Sequence, residues 1–185
     1  MSSPVGVRGY RRRVAIERAD AVGLRDGQHD FDFAHGRWSV QLSRLMKPLG
    51  GSTEWLEYEG SSSCRPIWDG RANVDEFRVH SPASGAVIDG LTVRLYNSET
   101  TEWSLYWANA RTGMSMPPTV GRFTEEGSGA FYDEEELEGR KIVVRYLWTD
   151  ITPTTAHFEQ SFSADGGMTW EPNWISTQTR VADDS

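Results

Sequence analysis

From residue 31 onward, apolar and polar side chains alternate in short runs separated by Gly, Pro, Asn and Asp, the pattern of strands half buried on one face. In GRWSVQLSRLM, Trp38, Val40, Leu42 and Met46 share one face, while Arg37, Ser39, Gln41 and Ser43 share the other. GLTVRLYNSETTEWSLYWAN predicts a hairpin. Leu91, Val93 and Leu95 line one face, Asn97 to Thr101 turn, and Trp103, Leu105 and Trp107 return. FYDEEELEGRKIVVRYLW predicts a second hairpin turning at Glu138-Gly139, and TAHFEQSF followed by TWEPNWISTQTR a third. Further strands are expected over 53–60, 63–67, 73–79 and 120–124, about eight to ten in all, with nothing helical after residue 30. Many antiparallel strands with short connections fold as a sandwich or as a closed up-and-down barrel. Closure leaves no edge strand, and a barrel of about eight strands holds one small ligand. Periodicity alone does not separate the two.

Residues 1–30 differ in texture. Val14, Arg18 and Val22 recur at helical spacing ahead of an Asp26-Gly27 turn, so residues 1–30 are expected to form a partly helical arm, 31–181 the domain and 182–185 a tail. No repeat of 20 to 50 residues occurs, which argues against propellers and solenoids. The chain of 185 residues suits one core. Its net charge of −8 argues against nucleic acid as the main partner, although Arg8, Arg11, Arg12 and Arg13 make the arm locally basic. No apolar run is long enough for a membrane helix or has the character of a secretory leader, and a cytoplasmic protein is expected. Cys64 is the single cysteine, which precludes an internal disulfide and reads more readily as a small buried hydrophobe than as a nucleophile.

The blocks FDFAHGRWSV, GSTEWLEYEG, GRANVDEF, LYNSETTEWSLYWANARTG, PPTVGRF, GAFYDEEELEGRKIVVRYLWTDITP and HFEQSFSADGGMTWEPNWISTQTR resemble a bacterial family of unknown function with lipocalin-like (calycin) β-barrels. The resemblance runs from about Asp30 to Val181 and includes a Gly-x-Trp on the first strand. It implies an all-β, antiparallel up-and-down barrel of about eight to ten strands in which Trp38 plugs one end. The family carries no settled activity, so the resemblance implies a fold and no reaction.

Polar residues inside apolar rows are the informative ones. Arg145 stands between Val143 and Leu147, and Gln160 between Phe158 and Phe162. A buried Arg needs a partner, and Glu159 meets Arg145 only if their strands pair in the right register; such a pair reads equally as a clamp for a ligand's acid or carbonyl and as a structural ion pair at the barrel end. In NVDEF, Asn73 and Asp75 share a face, while Glu76, adjacent to Asp75, points the other way, so the two acids form no facing dyad. The acid run after Tyr132 reads as a solvated edge. The candidate ligand-binding set is Asn73, Glu76, Arg94, Trp107, Asn109, Arg145, Glu159 and Trp174, the tryptophans drawn from eight in the chain. No catalytic residue is assigned. His29, His35, His80 and His157 lack metal-ligand spacing, and no phosphate loop, dinucleotide fingerprint or G-x-S-x-G is present. SADGGMTW matches an Asp-box. It occurs once, whereas propellers that use it repeat it, so it reads as a turn held by Ser163 and Asp165.

The leading expectation is a barrel that holds one small hydrophobic or aromatic molecule, with no cofactor, metal, nucleic acid or membrane partner; a homodimer is compatible with it. The second is an enzyme using the same cavity for isomerisation, cyclisation, hydration or decarboxylation, with Arg145, Glu76 or Glu159 as acid, base or anchor. A third, weaker reading is haem binding through His157.

Overall fold

A computed structural model describes residues 25–182. The expected helix of the arm and its arginines 8 to 13 lie outside the described residues. Phe31 is followed by a 3-10 turn, Asp32–Ala34, a short helical element where none was expected. The strands follow: β1 Gly36–Leu45, β2 Trp55–Ile67, β3 Ala72–His80, β4 Val87–Asn97, β5 Glu102–Asn109, β6 Gly113–Met114, β7 Thr119–Phe123, β8 Gly129–Leu137, β9 Arg140–Thr149, β10 Thr155–Ser163 and β11 Glu171–Arg180.

All pairings are antiparallel. The order is β4-β3-β2-β1-β11-β10-β9-β8-β7-β5, with β4 also paired to β5, so ten strands close on themselves and β6 only extends the end of β5. The fold is therefore a closed, ten-stranded, lipocalin-like antiparallel barrel, and closure satisfies the backbone groups an open sheet would leave at its edges. The three hairpins stand where alternation puts them. At Glu138-Gly139, both residues have positive φ, 51° and 78°, as a two-residue turn matching the strand twist requires. The two strands expected over 53–60 and 63–67 are one: Gly60 to Ser63 continue extended through β2, paired on both sides.

The end of the barrel where β1 begins is closed by the segment just ahead of it. Phe31 is fully buried and forms a hub, with its ring centroid 5.1 Å from Trp103, 4.9 Å from Phe123, 5.6 Å from Phe131 and 6.2 Å from Trp148. Edge-to-face packing of this kind adds to the area each ring buries. The Trp103 indole donates to the Gly27 carbonyl, which ties the plug to β5. Trp38 is buried beside it and donates to the Ala34 carbonyl. The Arg180 guanidinium lies 4.3 Å from the Trp38 ring and donates to the carbonyls of Phe33, His35 and Pro153, each at 2.7 Å, so the last strand locks the plug in place.

A second apolar cluster, Val40, Leu42, Tyr58, Phe77, Val79 and Ile88, fills the β1 to β4 side of the barrel toward the other end. No helix among the described residues is long and apolar enough to cross a membrane, and no group of three or more His, Cys, Asp or Glu among them is arranged to hold a metal.

Candidate ligand site in the barrel interior

Strand pairing fixes which side chains point inward. Trp148 and Phe158 face each other across β9 and β10 and pack with the Phe31 cluster, so their row is the inner one. Tyr146 and Gln160, the next pair on that face, also point in. On β8, Phe131 pairs with Tyr146 and Asp133 with Val144, so Phe131, Asp133 and Glu135 line the interior while Glu134 and Glu136 face out. The acid run is thus not simply a solvated edge; every second member of it enters the barrel. Arg94 rather than Leu91, Val93 and Leu95 faces inward on β4, because it pairs with Leu105 on the Trp103–Trp107 face of β5.

Toward the closed end lies a buried polar cluster. The Arg94 guanidinium donates to Asn73 Oδ1 and to Asp75 Oδ2, each at 2.9 Å, and sits 4.9 Å from the Phe31 ring. Arg94 and Asn73 are almost wholly buried, and Arg94 Nε, Asn73 Nδ2 and Asp75 Oδ1 have no hydrogen-bond partner among the described residues. Cys64 is 3.7 Å from the same guanidinium, and burial pushes its thiol up to about 11, so it stays protonated at neutral pH and is a poor nucleophile.

Beyond this floor the interior divides. Trp107, Trp174 and Phe77, from β5, β11 and β3, meet across the barrel with centroids 5.8 to 6.0 Å apart. Gly90 lies under Trp107, and a Cβ there would run into the indole. One side of this ring group is filled by the Val40–Ile88 cluster. On the other side, the inward residues Asp133, Glu135, Tyr146, Gln160 and Phe162 are only half buried. Tyr146 packs on Phe158 at 5.3 Å, yet burial, with Glu135 and Asp133 nearby, raises its phenol above the usual range. Gln160 is held by a 2.6 Å hydrogen bond to Asn173. Burial pushes Asp133 up to about 7, with Glu135 and Glu134 adding to it, and burial also raises Glu135. Exposed Val87, Met114, Met116 and Met168 stand around this open end.

Of the residues expected from sequence, Asn73, Arg94, Trp107 and Trp174 face the interior. Asn109 is inward in register, but its side-chain oxygen accepts from the Arg111 amide and shapes the following turn. Glu76 is exposed on the outer face. Arg145 and Glu159 do meet, at 3.3 Å, but on the outside: they flank the inner pair Tyr146–Gln160 and lie beneath the Trp170 indole, 4.3 Å from the guanidinium. His157 is also on the outer row, out of reach of a haem inside the barrel. Asp133, Glu135 and Tyr146 were not anticipated as a site.

The Asp-box turn is held by its aspartate. Asp165 accepts from the amides of Met168 and Thr169, the Thr169 hydroxyl and the Ser163 hydroxyl. It brings Trp170 onto Arg145 and so covers the outer wall rather than the interior. A cleft of about 520 Å³ is lined by Arg25, Asp30, Phe33 and Asp150, among others, at the plugged end and by none of the half-buried inward residues above.

The geometry defines a class: closed antiparallel barrels whose inner wall is fully buried around Phe31 and half buried around Tyr146 and Gln160. Solved structures share the barrel. The structure of an S-type phycobiliprotein lyase, CPES from Guillardia theta, superposes with a TM-score of 0.58 at 14% identity, over 86% of this chain and 95% of that one. Two designed proteins, EF1p2_mFAP2b bound to DFHBI and a de novo fluorescence-activating beta barrel, reach TM-scores of 0.46 and 0.44 at 10% and 12% identity. They cover 84% and 85% of this chain and 99% and 100% of their own. No protein-family profile and no curated protein matches the chain.

Proposed function

We propose that the protein binds one small, mainly apolar molecule inside the barrel, entering at the end ringed by Val87, Met114, Met116 and Met168. The observation that carries this is the half-buried inner wall: Trp107, Trp174, Tyr146 and Phe158 point into the barrel and keep accessible surface, although packed aromatics bury theirs elsewhere in the same interior. Rigid rings with a few polar groups are how small-molecule sites are usually lined. Gln160 and the Asp133–Glu135 pair supply the polar anchors on this wall, while Arg94 and Asn73 form its floor. At 14% identity the likeness to the lyase concerns the fold, so the reading rests on the lining. Cys64, a lone buried thiol, keeps the cytoplasm as the expected compartment.

The test is native mass spectrometry of the purified protein with titration of its tryptophan emission by small aromatic alcohols and acids. A co-purifying molecule, or emission changes that Trp107→Phe and Trp174→Phe diminish, is expected. Absence of both across the panel contradicts the reading.

A further inference from the structure

Two carboxylates point into the barrel on the β8 wall without a counter-charge. Asp133 and Glu135 are two residues apart on one face, near enough to share a proton. Neither forms an ion pair among the described residues, and Asp133 Oδ1 is buried without a partner among them. The neighbouring strands add no cation, and Arg44, on the inner row of β1, lies against Trp174, its guanidinium 6.0 Å from that ring. On β9 the neighbouring inward residues are Ile142, Val144 and Tyr146, and on β7 they are Thr119 and Gly121. Thr119 is 2% exposed, its hydroxyl has no partner among the described residues, and the register that pairs Val120 with Tyr132 sets it opposite Asp133 on the same inner face. Arg94, the nearest inward cation toward the floor, is already engaged by Asp75. The group is therefore a set of acceptors, two carboxylates and a hydroxyl, beside the Tyr146 and Phe158 rings.

An acidic site in an aromatic enclosure is complementary to a positively charged nitrogen on an apolar body: carboxylates neutralise the charge and ring faces attract it. We propose that the Asp133–Glu135 wall selects an organic cation, a protonated amine or amidine carried on an aromatic or aliphatic skeleton, as the molecule the barrel holds. This rests on the interior-binding reading above and narrows it. An anion would repel the acid pair, and a neutral molecule of the same shape could donate a hydrogen bond to it but would bring no counter-charge.

A charge series on one skeleton tests it. 1-Naphthylmethylamine, 1-naphthalenemethanol and 1-naphthoic acid are titrated by tryptophan emission at pH 6 and pH 8.5, into the wild-type protein and into Asp133→Asn and Glu135→Gln. The amine should bind about tenfold or more tightly than the alcohol at pH 8.5. The gap should shrink at pH 6, where the pair retains a proton that competes with the ligand's charge. Both neutral variants should lose the gap, the amine's affinity falling to that of the alcohol in the same variant. They remove a buried charge rather than a packing group, and melting curves confirm that they fold; the wild-type series decides the matter without them. Equal binding of amine and alcohol, preference for the acid, or a preference that survives both substitutions overturns the cation inference while leaving interior binding standing. Failure of all three probes to bind overturns both.

Discussion

Asp133 faces the barrel interior and Asp165 sits in a surface turn, and their surroundings shift them in opposite directions. Asp133 is raised from the usual carboxylate value to about 7, so the folded chain keeps a proton that the unfolded chain releases near pH 4. Stability therefore falls as pH rises from about 4 to about 7 on account of this group. Asp133→Asn should flatten that fall and raise Tm at pH 8 in scanning calorimetry; an unchanged slope would refute the assignment. Asp165, held down to about 2 by the Thr169 hydroxyl and amide, contributes stability above pH 4 that is lost as pH drops through 2. Asp165→Ala should lower Tm at pH 7, with the deficit narrowing in acid, and should leave ligand affinity as it was. At this scale the sequence was legible where a polar residue interrupts an apolar row, as Asn73 and Asp75 do. It was illegible at residues 133–136, where all four side chains are acids and alternation leaves no trace. At Arg145 it left a ligand clamp and a structural ion pair equally open, because both rows of β9 are largely apolar; the structure has the ion pair with Glu159, on the outer row under Trp170.

Elements were easier to foresee than their facing. The hairpins joining β4 to β5, β8 to β9 and β10 to β11 follow from turn residues between alternating runs. Yet on β4 the apolar row Leu91, Val93 and Leu95 faces out and the row of Gly90, Thr92 and Arg94 faces in, since pairing with β5 sets the register. No local pattern reports that choice. Gly90 shows its consequence. Gly90→Val would drive a side chain into the Trp107 ring and should cost about 1–3 kcal/mol in urea unfolding, as overpacking does, while shifting Trp107 emission. Phe31 is the other element-scale surprise, because it lies ahead of every strand and still makes the hub of the closed end. Phe31→Ala should cost about 3–5 kcal/mol by the same measurement, the range for removing a buried aromatic. A loss below about 1 kcal/mol, the size of an ordinary surface change, would mean that the plug does not hold the barrel.

The whole molecule combines a closed wall with an unevenly filled interior. Strand number follows from alternation and short connections, whereas closure does not: it rests on the pairing of the first strand, β1, with the last, β11, far apart in the chain. How much of the interior is filled depends on side chains from strands far apart in the chain, such as Phe77, Trp107 and Trp174, and no local window contains them. Aromatic abundance is compatible with both a packed core and a pocket; the rings are fully buried around Phe31 and half buried beside Tyr146, where we propose that a ligand sits. The central claim is that small aromatic molecules enter that part of the barrel. Proton–nitrogen correlation spectra resolve the indole N–H groups of the eight tryptophans and can be followed during titration with 1-naphthalenemethanol. The Trp107 and Trp174 signals should move in a saturable way while those of the exposed Trp55 and Trp68 stay in place. Shifts confined to Trp55 and Trp68, or no shift at all, would contradict the claim.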